Sequence, residues 1–324
     1  MEEGLSVAVL IPTFRRPEEL ARCLSALAGQ RRRPDRVLVV ARAEDGPTRH
    51  VAAADHDGLT VERVLVEAPG QIAALNAGLD ALREDIVAIT DDDCIPRPDW
   101  LERIERHFVA DPRLGGLGGP DRLTQGGMPV VGARRSVGRV FWYGRFVGLH
   151  QLGIGPVRDV ELLKGANMSY RREAVGRLRF DTHLRGSGTE QHNDWTFSLA
   201  VRAAGWRVAF DPAVVVDHDE AARAVGNPRF AADPQVATEH AHNQTYAAVR
   251  HLPPRRVVAH LLYSALVGTT TAPGVGMTVV NLVSRHEPRA AGVLRFRLAL
   301  RARADGAATG LRERRRAGGP APGS

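Results

Sequence analysis

The chain has 324 residues, 44% hydrophobic and 25% charged, the make-up of an ordinary globular protein with room for one large domain or two small ones. Its 44 basic and 37 acidic residues give a formal charge of +7, concentrated near the C-terminus in Arg295, Arg297, Arg301, Arg303, Arg312, Arg314, Arg315 and Arg316. Two cysteines, Cys23 and Cys94, exclude a disulfide framework or a zinc motif and suit a reducing compartment, and the N-terminus lacks the basic start and long apolar stretch of a signal peptide.

The first third alternates short β-branched runs with helical periodicity, as a parallel α/β sheet does. Residues 7–11 read as a buried strand ended by Pro12. A helix follows from Pro17, with Glu18 and Glu19 in its first turn and Leu20, Cys23, Leu24 and Leu27 on one face. Residues 37–40 form the next strand and 43–47 a polar turn. A strand near 61–66 leads past Pro69 and Gly70 into a helix with Leu75, Leu79 and Leu82 on one side, and residues 86–90 form a fourth strand. Right-handed crossovers give this order a Rossmann-like nucleotide-binding half. After a helix carrying Leu101, Ile104 and Phe108, residues 114–156 are rich in Gly and aromatic residues and read as loops and short strands walling a substrate site. Order returns with a helix carrying Phe197, Leu199, Val201 and Ala204 that ends at Gly205, a strand at 206–210, and Val214 to Val216 leading to Asp217 and His218.

Asp91, Asp92 and Asp93 directly follow the fourth strand. Adjacent carboxylates repel and are costly to desolvate, so such a cluster at the end of a buried strand calls for a cation. Mg²⁺ or Mn²⁺ takes oxygen ligands and keeps positions open for phosphate oxygens, which points to a diphosphate-bearing substrate. The carboxyl end of a strand in an open α/β sheet is where ligands bind. A solvated acidic turn is the alternative.

Together these segments resemble a family-2 glycosyltransferase of GT-A fold over roughly residues 5 to 220. The run from Leu10 to Pro17 looks like that family's first nucleotide-binding loop, implying donor contacts from Pro12, Thr13, Arg15 and Arg16. The acidic cluster resembles the family's Asp-x-Asp motif. It implies donor contacts from Asp91 and Asp92 and metal ligation by Asp91 and Asp93, with His218, after its strand, as a further metal ligand. The run from Lys164 to Arg172 looks like the family's Gly-x-Asn segment, placing Gly165 and Asn167 at the donor and acceptor cleft; the same resemblance puts Asn76 among the donor-binding residues. Counting back from Gly205, the family's Glu-Asp pair falls on Asn193 and Asp194. Asp194 is then the catalytic base, with Glu190 in reserve because Asn replaces the usual Glu. Acid after the second strand appears only at Glu44 and Asp45, so Asp45 is taken for nucleotide recognition from a shifted turn. The implied fold is a mixed, mainly parallel GT-A sheet with a C-terminal helical extension: residues 1–225 catalytic (1–120 nucleotide-binding, 121–225 acceptor), 226–310 helical, 311–324 a disordered basic tail.

The implied activity is metal-dependent, inverting transfer of a single sugar from a nucleotide-diphosphate sugar to a hydroxyl acceptor, which is a carbohydrate, a lipid-linked glycan or a small molecule. No processive Gln-x-x-Arg-Trp motif is present. The alternative is a metal-dependent phosphohydrolase of nucleotides or phosphosugars built on His183, His192, Asp194, Asp217, His218 and Asp219. Residues 257–283 carry no Asp, Glu, Lys or Arg, yet His260, Thr269 to Thr271, Pro273 and Gly274 interrupt them. A buried hairpin or two interfacial segments therefore fits better than a membrane span. With the arginine-rich tail this suggests a cytoplasmic enzyme, peripheral on the inner membrane face, with no nucleic-acid partner.

Overall fold

A computed structural model describes residues 4–125, 128–186, 188–219, 234–284 and 289–318. The first third forms β1 (Val7–Thr13), α1 (Pro17–Ala28), β2 (Arg36–Arg42), α2 (Gly46–Ala53), β3 (Val61–Val66), α3 (Gln71–Asp80) and β4 (Ile86–Ile89). There follow β5 (Cys94–Pro96), α4 (Trp100–Ala110), β6 (Leu114–Gly118), β7 (Asp121–Gln125), β8 (Met128–Pro129), β9 (Arg139–Val140), β10 (Phe146–Val147) and β11 (Arg158–Asp159). Then come β12 (Met168–Arg171), α5 (Arg172–Val175), α6 (Asn193–Ala203), β13 (Arg207–Phe210) and β14 (Val216–Asp219). Four helices complete the described chain: α7 (Pro234–His251), α8 (Pro254–Leu266), α9 (Val275–Ser284) and α10 (Arg289–Gly318).

Eight strands form the main sheet in the order β11-β13-β6-β12-β4-β1-β2-β3, and β5-β14-β7-β8 form a smaller one. Strands β4, β1, β2 and β3 are parallel, whereas β12 runs antiparallel between β4 and β6. The fold is thus mixed and mainly parallel, as the pattern implied. Side chains alternate across β1. Val7, Val9 and Ile11 enter a core with α1 and α4, while Ala8 and Leu10 enter another with α3, Phe197 and Tyr246. Both faces are covered, which is why these strands read as unbroken apolar runs.

Two boundaries differ from expectation. Pro12 does not end β1 but lies within it, paired in register with Val40 of β2 near the strand's end. Strand β6 was hidden by its sequence, Leu-Gly-Gly-Leu-Gly. Its glycines admit bulky neighbours: a Cβ on Gly115 would meet Trp206, one on Gly116 would touch Tyr170, and one on Gly118 would meet Leu163.

The C-terminal helices pack onto the sheet domain, with Tyr246 of α7 in the same core as Phe180 and Phe197. Helix α10 lies along α7 through small residues, Gly306 against the His242 backbone and Gly310 against the Tyr246 carbonyl. The tail expected to be disordered from residue 311 is instead helical to Gly318; residues 319–324, and the 225/226 boundary, lie outside the described residues. Its arginines are not all solvated either. Arg295 and Arg303 are buried and donate to the carbonyls of Thr270, Thr271, Ala272 and Pro273, and Arg314 donates to those of Val249 and Leu252. Residues 257–283 form α8, a turn and α9, and no described helix is long and apolar enough to cross a membrane.

Candidate active site

Two cavities of about 360 and 380 Å³ open at the carboxyl ends of β1 and β4 and share Gln71, Asp91 and Thr189. The first is walled by the loop after β1, by Arg42 at the end of β2, and by Val66 and Pro69 after β3. Thr13 donates from Oγ1 to Asp92 (2.8 Å), and Arg16 bridges Asp92 (3.1 Å) and Asp93 (2.7 Å). Burial raises the Asp92 carboxyl to about 6, with Asp93 and Asp91 pushing the same way and Arg16 and Thr13 opposing.

Not every residue expected here belongs to the cavity. Arg15 adopts a left-handed backbone (φ 55°), its guanidinium lies over the Phe14 ring (4.9 Å), and it does not line the cavity. Asp45 is buried and occupied as the N-cap of α2, accepting from Thr48 N–H and Arg15 N–H. Asn76 is also used structurally: its amide donates to the Phe180 carbonyl (2.9 Å) and accepts from the Phe180 N–H (2.7 Å). The same holds for Asn167, fully buried, which accepts from Trp100 Nε1 and donates to the carbonyls of Pro120 and Val214. Lining residues missed by sequence reasoning, Phe14, Arg42 and Gln71 among them, come from the loop after β1, the end of β2 and the start of α3, whose approach only the fold reveals.

Asp93 and His218 meet because β14 pairs with β5, setting His218 opposite Cys94. His218 Nε2 stands 3.2 Å from Asp93 Oδ1, while its Nδ1 faces Asp121 Oδ2 at 3.4 Å. Asp121, wholly buried, also pairs with Lys164. Despite burial, Lys164 and His218 hold the Asp121 carboxyl down at about 2, and the carboxylates around His218 hold its imidazole up at about 10. Asp121 left no signal in sequence, since it opens a strand far from both partners.

Among the described residues, those with metal-ligating spacing are Asp93, Cys94 and His218, their ligand atoms within 4.8 Å of one another. Burial and the neighbouring aspartates push the Cys94 thiol well above its ordinary value, so it stays protonated and the usable donors are carboxylate oxygen and imidazole nitrogen. That set, backed by a carboxylate on the far ring nitrogen, fits a hard to borderline divalent cation such as Mg²⁺ or Mn²⁺. Of the phosphohydrolase alternative's histidines, His183 lies apart, against Asp181 and Glu313, while His192 shares the second cavity with His218 and contacts His240; among the described residues only His218 of the three has metal-ligating spacing.

The second cavity holds Asp91, Lys164, Gly165, Asp194 and His218, together with His240 of α7 and Thr271 of the α8–α9 turn. Asp194, in the first turn of α6, accepts from Gly165 N–H (3.0 Å) and Trp195 N–H (2.8 Å), which fixes its carboxylate. A Cβ on Gly165 would make only ordinary contact with Asp194, at 3.9 Å. Glu190 lines the same cavity, with its carboxylate accepting from Ile72 N–H at the start of α3. Asn193, in the place of the usual Glu, donates to Gln71 (3.2 Å), whose amide in turn reaches Asp91 (3.4 Å). Here a neutral amide chain steadies Asp91.

The chain is 30% identical to the pre-mycofactocin glycosyltransferase of Mycobacterium tuberculosis over 223 residues, covering 66% of this chain and 42% of that protein, so it spans less than half the length of this relative. Among solved structures it is similar to the mannosyltransferase PcManGT of Pyrobaculum calidifontis in complex with GDP-Man and Mn²⁺ (TM-score 0.59, 21% identity, 97% of this chain and 88% of that one). It is also similar to TarS of S. aureus in complex with UDP-GlcNAc (TM-score 0.58, 15% identity, 97% and 92%). At these identities the likeness establishes the GT-A fold. Residues 4–258 match the family described as "Glycosyltransferase like family 2". On that match, which takes in the whole first cavity, the second apart from Thr271, and every residue at the Asp93–His218 centre, the chain belongs to glycosyltransferase family 2.

Proposed function

We propose that the chain transfers a single sugar, with inversion, from a nucleotide-diphosphate sugar to a hydroxyl acceptor, with Mg²⁺ or Mn²⁺ held by Asp93 and His218 and Asp91 at the mouth of the cleft. The observation that carries this is the junction of the two cavities: Asp91 belongs to both, with Thr13, Arg16 and Asp92 on one side and Asp194 on the other. The nucleotide lies along the Pro12 to Arg16 loop, with Thr13 and Arg16 rather than Arg15 at the diphosphate. When bound, the cation neutralises charge on the departing diphosphate. The Asp194 carboxylate takes the acceptor's hydroxyl proton as that oxygen forms its bond to the anomeric carbon and the bond to the diphosphate breaks. The backbone N–H groups of Gly165 and Trp195 hold the base in place for that transfer. Complexes of fold neighbours with GDP-Man and Mn²⁺, and with UDP-GlcNAc, support the reading.

The acceptor is a carbohydrate, a lipid-linked glycan or a small molecule, met at a membrane surface. Hydrolysis and transfer assays with UDP-, GDP- and dTDP-sugars, with and without Mn²⁺, test the donor. Calorimetry of nucleoside diphosphate binding to Asp93→Asn tests the metal. A variant with unchanged Mn²⁺-dependent affinity removes Asp93 from the site, and turnover unaffected by chelators removes the metal from the reaction.

A further inference from the structure

Away from the residues of the two cavities lies a groove of about 780 Å³, lined in part by Arg139 and Val140 of β9, whose charged lining is Arg139, Arg202, Arg255, Arg256, Asp159 and Glu161. Its cations are in excess. Arg256 pairs with Glu161 and donates to the Val140 carbonyl, Arg202 donates to the Val160 carbonyl, and Asp159 pairs with Arg207. Arg139 and Arg255 have no carboxylate partner among the described residues. Trp142, 82% exposed, stands at the lip, and its neighbour Tyr143 packs against Tyr263 of α8.

Arg255 also begins a ridge along α8. At helical spacing after it come Val258, Leu262 (56% exposed) and Leu266 (61%), and α9, beyond the turn, also exposes Val275, Val279 and Val283 (77%). The ridge is aliphatic, its residues 257–283 carry no charge, and neither helix is long enough to span a bilayer. An aliphatic ridge within a segment free of charged side chains, edged by an exposed Trp and by arginines with no carboxylate partner among the described residues, has the composition that settles in an anionic lipid interface.

We propose that this face docks on an anionic lipid surface: Arg139 and Arg255 take lipid phosphates at the groove, Trp142 sits at the headgroup level, and the α8–α9 ridge enters the acyl boundary. This refines the membrane-proximal reading above and moves the electrostatic part from the C-terminal arginines to the groove. Helix α10 spends Arg295, Arg303 and Arg314 on internal carbonyls.

The full chain is tested by flotation with phosphatidylcholine vesicles and with the same vesicles containing phosphatidylglycerol, at low and high salt. Wild type is expected to float with phosphatidylglycerol vesicles at low salt. Joint Arg139→Glu and Arg255→Glu substitution should lower that partitioning by roughly 10-fold or more. Leu262→Ser with Leu266→Ser should lower the salt-resistant part, and Arg315→Glu with Arg316→Glu should leave binding near wild type. Absence of wild-type binding at low salt overturns the proposal. So does loss of binding in the Arg315/Arg316 variant but not in the groove variant. A dimer in sedimentation that Leu262→Ser disrupts assigns the ridge to a second copy and also overturns it. Donor turnover in vesicle-free solution, measured on the same proteins, is expected unchanged, since these residues lie outside the cleft; absent turnover in wild type would count against the transfer reaction alone.

Discussion

Asp121→Asn is the sharpest probe of the metal centre, because it changes one buried atom's charge and almost no volume. In the wild-type protein the carboxylate faces His218 Nδ1 at 3.4 Å and pairs with Lys164 while wholly sealed from water. Without a cation the ring carries both protons, so a bound cation would displace the one on Nε2, which faces Asp93 at 3.2 Å, and the carboxylate would keep Nδ1 as the protonated nitrogen. An amide can offer His218 either its oxygen or its NH₂, so the tautomer is no longer fixed and the ligand's basicity falls. Loss of such a supporting group lowers metal affinity ~10–100-fold, equivalent to ~1.4–2.8 kcal/mol. Folding stability drops too, since a buried pair loses one partner; the bare Lys164 is partly exposed, so the loss should lie below the ~3–5 kcal/mol seen for fully buried pairs. Calorimetric titration of Mn²⁺ in the presence of uridine diphosphate reads the first effect and thermal melting the second. Lys164→Gln is the control, expected to cost stability while keeping Mn²⁺ affinity. Affinity for Asp121→Asn within about two-fold of wild type, or an equal loss in Lys164→Gln, would refute the positioning role.

Asp194→Asn should cut turnover ~10²–10⁴-fold with donor affinity nearly intact; Glu190→Gln should instead lower the melting temperature by loosening the start of α3, and the opposite assignment of the two effects would show Glu190 to be the base. Asn167→Ala strands Trp100 Nε1 and the carbonyls of Pro120 and Val214 in the core. Chemical denaturation should show a loss of ~2–4 kcal/mol, and a loss below ~1 kcal/mol would mean the site relaxes around the gap. Tyr246, the His183 N–H and ring, and Arg250 hold the Asp181 carboxyl below its ordinary 3.8 although burial pushes it up, so it stabilises the fold above that value and loses this as pH falls through the lowered one. Asp181→Asn is thus expected to melt earlier than wild type at neutral pH, with the gap closing below pH 3.8; a gap constant with pH would exclude this origin.

The pattern of the first third was readable because parallel strands covered on both faces become unbroken apolar runs, and because a buried strand ending in three carboxylates has few physical explanations. His218 and Asp194 were reached through resemblance and the spacing to Gly205, and both line the second cavity. Asn76, Asn167 and Asp45, expected at the donor, are each engaged with backbone groups, and in sequence a polar side chain so engaged looks like one that awaits a ligand. Asp121, Gln71 and His240 escaped for the converse reason. Their partners lie far away along the chain, and no local period records contacts made across two sheets.

The pairing of β5 with β14 separates two tasks within the cleft. The proposed metal site hangs on backbone pairing, with His218 opposite Cys94 and the Asp219 N–H donating to the Asp93 carbonyl. The wall of the nucleotide cavity, from Phe14 to Arg42 and Val66, stands instead on loops at the ends of strands on the other side of β4. On the proposed function, substitutions at Phe14, Arg42 and Val66 would retune which base or sugar is admitted without touching the proposed metal ligands. A scaffold arranged in this way lets donor choice diverge while the chemistry stays where it is.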